Sequence, residues 1–198
     1  MTSAITVVPA NLAEWGEVAK VFGTRGPASW CWCQRYKLWP RESFGSFPAE
    51  ERAHRLREQV DPGEPGAERT AGLLARLDGE PVGWCAVEPR PAYHGMVRNQ
   101  KVPWQGRDED PEDPGVWAVT CFVTRAGYRK RGVATALLHA AVEHARGHGA
   151  RALEGYPITT TKVILEELHV GTVGMFEAAG FREVSHPTLR RVVMRLDL

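Results

Sequence analysis

The stretch YRKRGVATALLHAAVEHA, residues 128–145, sets Arg129, Lys130 and Arg131 beside Gly132 at the start of a helical run. A helix N-terminus already carries about half a unit of positive charge, so acidic side chains are the usual choice there. Three cations at that end are either solvated surface groups or the walls of an anion site. The backbone N–H groups near Lys130 to Ala134 have no intrahelical partner. Gly132 has no Cβ to hold a ligand away from the main chain, and Ala134 is small. Such a turn can cradle a phosphate or pyrophosphate, whose charge would reverse the local repulsion.

A second stretch, SWCWCQRYKLW at 29–39, places Cys31 and Cys33 two apart among Trp30, Trp32, Tyr36 and Trp39. His54, Cys85 or Cys121 could join the two thiols around zinc. No second C-x₂-C or H-x₃-H pair supports that, so no metal is expected. On residue type alone the aromatic side chains read as packing under a long loop.

These groups must be positioned by an ordinary globular chain. It has 198 residues, 43% hydrophobic and 25% charged, with 25 Lys plus Arg against 24 Asp plus Glu. That balance gives no general electrostatic reason to bind nucleic acid or membrane, and no partner of either kind is expected. The N-terminus MTSAITVVPA has no basic segment followed by an apolar one, so no secretory signal is expected. Four cysteines in no regular framework suggest reduced thiols and a cytoplasmic location. Exposed strands at the C-terminus would allow a homodimer.

The pattern predicts a strand ending at Pro9, then a helix over 11–22 capped by Asn11 with Glu14 three residues on. Residues 23–47 read as irregular. A second helix follows over 46–60, with Ser46 as cap and Pro48 in the first turn. Two apolar runs between 70 and 89 flank Asp78-Gly79, a hairpin signal. Residues 89–115 form a long connection whose acidic, Pro-rich end reads as a mobile surface loop. VWAVTCFVT, 116–124, is apolar and β-branched enough for a central strand. The helix at 132–146 carries Val133, Leu137, Leu138, Ala141, Val142 and Ala145 on one face. A strand over 150–157, an ambiguous stretch to 170, a helix ending at Gly180 and two strands complete a single domain, 1–198, with loop-rich insertions at 23–47 and 89–115.

The segment Arg129-Lys-Arg-Gly132-Val-Ala134 resembles the R/Q-x-x-G-x-G/A signature of the GNAT acyltransferase superfamily. Val123-Thr124-Arg125 stands where that family has V-x-P, with Arg125 in place of proline. Leu153-Glu154 resembles its L-E-V strand, and MFEAAGF, 175–181, resembles its closing LYEKLGF. The likeness covers 72–185 and implies an α/β (α+β) GNAT fold. That fold has a mostly antiparallel mixed sheet of about six to seven strands, about four flanking helices, and central strands that splay apart.

The resemblance further implies an acyl-CoA-dependent N-acyltransferase, with acetyl-CoA as the expected donor and no need of a metal. The CoA pyrophosphate would rest on the amides of Arg129, Lys130, Arg131, Gly132, Val133, Ala134 and Thr135. The pantetheine arm would pair with Cys121, Phe122 and Val123, since a splayed strand leaves unmade ladder bonds. Glu154 would serve as base towards an amine acceptor. The family's usual acid, a tyrosine, is Phe176 here, expected to touch the cofactor but with no proton to give. Tyr156, Cys121 and His169 are the substitutes. By topology Trp30, Trp32, Tyr36 and Trp39 would then wall the acceptor pocket, joined by Trp104. A non-catalytic acyl-CoA-binding module is the alternative, which Phe176 favours.

Overall fold

The computed structural model describes residues 4–67, 70–99, 102–160 and 162–198. The chain opens with β1 (Ile5–Pro9), then α1 (Trp15–Phe22), α2 (Pro27–Cys31) and α3 (Ala49–Val60). A hairpin of β2 (Gly72–Leu77) and β3 (Glu80–Pro89) leads through α4 (His94–Asn99) to β4 (Val116–Thr124). Then come α5 (Val133–Gly147), β5 (Ala152–Gly155), α6 (Val173–Ala178), β6 (Arg182–Thr188) and β7 (Arg191–Asp197). The strands form one seven-stranded sheet in the order β1-β2-β3-β4-β5-β7-β6. The pairing of β4 with β5 is parallel and the rest are antiparallel. This is the mixed sheet that the sequence resemblance implied. No helix among the described residues is long and apolar enough to cross a membrane.

Each face of the sheet carries its own core. Against one face, α5 buries Val133, Leu137, Leu138, Ala141, Val142 and Ala145 on β-strand residues such as Cys85, Val87 and Val119. Gly83 on β3 is what lets that helix sit close, because a Cβ there would strike Val133. Against the other face, α1 and α3 pack Val18, Phe22, Leu56 and Val60 around Trp84. Asp78 and Gly79 both have positive φ, 51° and 83°, as a two-residue I′ hairpin turn requires.

Several local expectations shift. Asn11 does not cap α1. It is buried and its side-chain amide donates to the Glu64 carbonyl at 3.0 Å, while Glu14 and Glu17 form the capping box three residues later. Pro48 is the N-cap of α3, and Ser46 instead closes a 3-10 turn, Phe44–Ser46. The two segments read as loop-rich insertions, 23–47 and 89–115, hold α2 and α4. Helices of five and six residues are too short to form on their own and depend on packing. Nor is the 89–115 connection a loose loop. Arg90, fully buried, donates to the carbonyls of Asp110 and Pro111 and so ties the acidic end down. Gln100 and Lys101 of this connection, and Glu68, Arg69 and Thr161 elsewhere, lie outside the described residues.

Candidate active site

The turn into α5 has the geometry of an anion cradle. Lys130 and Gly132 both adopt positive φ, 60° and 79°, so successive amides rotate towards the same side. Gly132 is the N-cap, no side chain caps the helix and no acidic residue occupies its first turn. The first bond of the helix is Ala136 N–H to the Gly132 carbonyl at 2.9 Å. Among the described residues the amides of Arg129 to Thr135 therefore donate to no protein acceptor. A Cβ on Gly132 would meet nothing within 4 Å, so the main chain is open to approach. Arg129, Lys130 and Arg131 are exposed and pair with no carboxylate among the described residues, whereas Arg125 is held by Glu80 and the Pro81 carbonyl. Arg125, standing where the related motif has proline, thus staples the turn to the β2–β3 hairpin. Its guanidinium and that of Arg131 both lie over Tyr128, at 5.2 and 5.6 Å.

This cradle stands at the end of an open strand edge. The β4–β5 ladder runs from Val116↔Ala152 to Val119↔Gly155 and stops. β5 then leaves: the Ile158 amide donates to the Gly171 carbonyl, and the Pro157 carbonyl accepts from Val192. Thr120 is a bulge on β4, since Ala86 pairs with Cys121 and Val87 with Val119. From Thr120 on, β4 is paired with β3 but has no strand partner on its β5 side among the described residues. The 3-10 segment Leu165–Val170 lies beside that edge. Cys121, Phe122 and Val123 are therefore on the open edge. Phe176 is not at the surface: it is fully buried, edge-on to Phe122 and Phe181 at 6.3 and 5.0 Å, so its contact with a cofactor is replaced by a place in the core.

Glu154 does not fit the role of base. It is fully buried on β5, and its carboxylate accepts from Arg90 Nη1 at 3.2 Å, Arg195 Nη1 at 3.4 Å, Tyr156 Oη at 3.1 Å and both terminal nitrogens of Arg107. A base must present a free lone pair to its substrate, and these oxygens are already engaged. Glu154 is the hub that fixes the 89–115 connection over the sheet. Tyr156 is part of the same hub; burial pushes its phenol well above its ordinary value, and the Glu154 charge adds to that. Trp104 belongs here too, half-buried with its ring beside Arg90 and Arg107 and its indole N–H donating to the Met96 carbonyl.

The aromatic segment divides. Trp32 is core, stacked on Phe22 at 4.7 Å and on Trp15 at 5.8 Å. Trp30 and Trp39 are about half exposed. Trp30 sits over Arg52, and Trp39 stacks on His94 and borders a polar groove with Lys37, His54 and Arg55. Tyr36 is only partly exposed, with its ring centroid 6.4 Å from that of His169 in the segment beside the open edge. Burial raises the Tyr36 phenol above its ordinary value. Tyr36 and His169 thus come together beside the β4 edge that carries Cys121. Composition could not signal this, because the three lie on a turn, a strand and a late insertion. Cys33 is buried against Cys121 and its thiol is pushed well up by burial, so it is no nucleophile at neutral pH. All four cysteines are free, and no three His, Cys, Asp or Glu side chains among the described residues are placed to hold a metal.

Solved structures share this architecture. A GCN5-related N-acetyltransferase from Kribbella flavida is 20% identical, with 98% of each chain covered and a TM-score of 0.55. PaiA N-acetyltransferase from Thermoplasma acidophilum, solved with coenzyme A, is 12% identical over 98% of this chain and 99% of that one, TM-score 0.55. YncA from Salmonella typhimurium, solved with its cofactor acetyl-CoA, is 11% identical over 98% and 94%, TM-score 0.51. At these identities the likeness is one of fold. No curated protein matches the sequence at a significant level. The family model described as acetyltransferase (GNAT) family matches residues 29–160, two thirds of the chain, and the chain accordingly belongs to that family.

Proposed function

We propose that this protein transfers an acetyl group from acetyl-CoA directly to an amine. The observation that carries the proposal is the run of undonated amides from Arg129 to Thr135, flanked by three cations without a carboxylate partner among the described residues and leading onto the open edge of β4. Those amides fit a pyrophosphate, and the Cys121–Val123 edge fits the two amides of a pantetheine arm. When bound, acetyl-CoA supplies a thioester carbonyl open to nucleophilic attack.

The chain's own part is positioning and proton transfer. Holding thioester and amine in one gap makes the attack effectively unimolecular. A backbone N–H on the open edge near Val123 stabilises the developing oxyanion. His169 takes the proton from the attacking amine, and Tyr36 gives one to the departing thiolate. Tyr36 suits this because burial keeps its phenol protonated. It stands in for the hydroxyl that Phe176 lacks. Glu154 positions the cover and Cys121 lines the gap. Trp30 and Trp39 form exposed walls at the acceptor side.

Calorimetric titration with CoA tests the cradle, and thiol release from acetyl-CoA across a panel of amines tests the transfer. Absence of binding heat overturns the proposal. Phe176 favours a second reading, an acyl-CoA-binding protein without turnover; tight binding with no thiol release on any amine would support it.

A further inference from the structure

Among the described arginines that are not exposed, Arg191 is the one whose side chain makes no hydrogen bond and no ion pair. Arg52 donates to three carbonyls, while Arg55, Arg76, Arg90, Arg107, Arg125 and Arg195 all bind carboxylates. Arg191 is partly exposed, so its guanidinium stays open to solvent and to an incoming anion instead of being engaged by the protein.

The position is informative. Arg191 is the first residue of β7 and bridges to Ile158, which in turn bridges to Thr172 just past the Leu165–Val170 segment. Along β7, Val192 faces the α5 core while Val193 faces Tyr93, Ala118 and Tyr156. Arg191 shares the face of Val193, as does Arg195, which reaches Glu154. Tyr36 packs on that same face, and its phenol feels the Arg191 charge. Among the described residues, the carboxylates of this region already have cationic partners. Lys37 holds Glu88, Arg190 holds Glu167, and three arginines hold Glu154. Arg191 is thus the cation on this face that no described carboxylate holds.

We propose that Arg191 binds a carboxylate of the acceptor, so the amine substrate is a small amino carboxylate such as a free amino acid. A guanidinium fork matches a carboxylate in a bidentate manner and would fix the amine's distance from the thioester. This rests on the acetyl-transfer reading and adds the chemical class of the acceptor.

The test compares free amino acids with their carboxamides as acceptors, using wild type, Arg191→Gln and Arg191→Lys. Wild type should prefer the free acids by about tenfold or more in kcat/KM. Arg191→Gln should erase that preference through KM and leave the carboxamides unchanged; Arg191→Lys should keep part of it. Equal use of acids and carboxamides by wild type, or an equal loss on both in Arg191→Gln, overturns the proposal. A readout free of turnover is calorimetric binding of N-acetylated amino acids to the CoA-loaded protein. Binding that Arg191→Gln abolishes supports the carboxylate site even if no amine is acetylated, an outcome that would sink only the transfer reading. Where no amine is acetylated, absence of such binding overturns the inference.

Discussion

Gly155, the last residue of β5 to pair with β4, leaves the space that the Phe176 ring occupies. A Cβ on Gly155 would collide with that ring. The point where the sheet opens is therefore wedged from behind by α6, and the missing side chain is what allows it. Gly155→Ala is expected to destabilise the protein by about 1–3 kcal/mol through overpacking. Gly155→Ala with Phe176→Leu should recover part of the loss. Urea denaturation of Gly155→Ala, Phe176→Leu and the double variant measures it, and additive effects would refute the wedge.

The cradle makes a separate prediction. Aspartate tolerates the left-handed backbone of Gly132 better than most side chains, so Gly132→Asp should fold. Its charge would oppose a diphosphate, and CoA affinity should fall about 100-fold or more by calorimetry, with little change in Tm. Unaltered CoA affinity would exclude this turn as the anchor.

Glu154→Gln leaves three guanidiniums around a neutral amide. A loss of about 3–5 kcal/mol is expected, as when one partner of a buried ion cluster is removed. Arg90→Met should mainly release the acidic end of the 89–115 connection, seen as faster proteolysis at residues 107–113. If Glu154→Gln kept full stability and lost only turnover, the base role would be restored.

Tyr36→Phe should lower kcat by about 100-fold or more with CoA affinity unchanged. Because the phenol acts as an acid, the wild-type rate should decline at alkaline pH above the ordinary tyrosine range, which burial shifts upward. An unchanged kcat and pH profile in Tyr36→Phe would remove it from the proton path.

His144 on α5 lies edge-on to Trp117 at 5.7 Å and 4.3 Å from the His148 ring. Burial first, and His148 second, lower its pKa from 6.5 to about 4. Between those values the unfolded chain binds more protons than the native one, so stability rises with pH across the window. It is lost as pH falls from about 6.5 towards about 4. His144→Gln should flatten that part of the pH–Tm curve. An identical slope in both proteins would show that other groups govern it.

Residue type and spacing determined the elements that carry their own periodicity or turn chemistry. The α5 stripe, the apolar run of β4 and the Asp78-Gly79 hairpin are local, and each formed where its pattern placed it. The open turn into α5 was legible too, because N-terminal amides and a glycine are features of consecutive residues. What could not be read was anything fixed by meeting across the fold. Glu154 looks like any strand glutamate until Arg90, Arg107 and Arg195 arrive from 64, 47 and 41 residues away. Short helices such as α2 and α4 have no stability without the surface they pack on. The split of Trp32 into the core and Trp30 and Trp39 to the surface, and the isolation of Arg191 beside Tyr36, follow from which face of the sheet each segment covers. Burial and electrostatic pairing are properties of neighbours in space, and those neighbours exist only once the chain has folded.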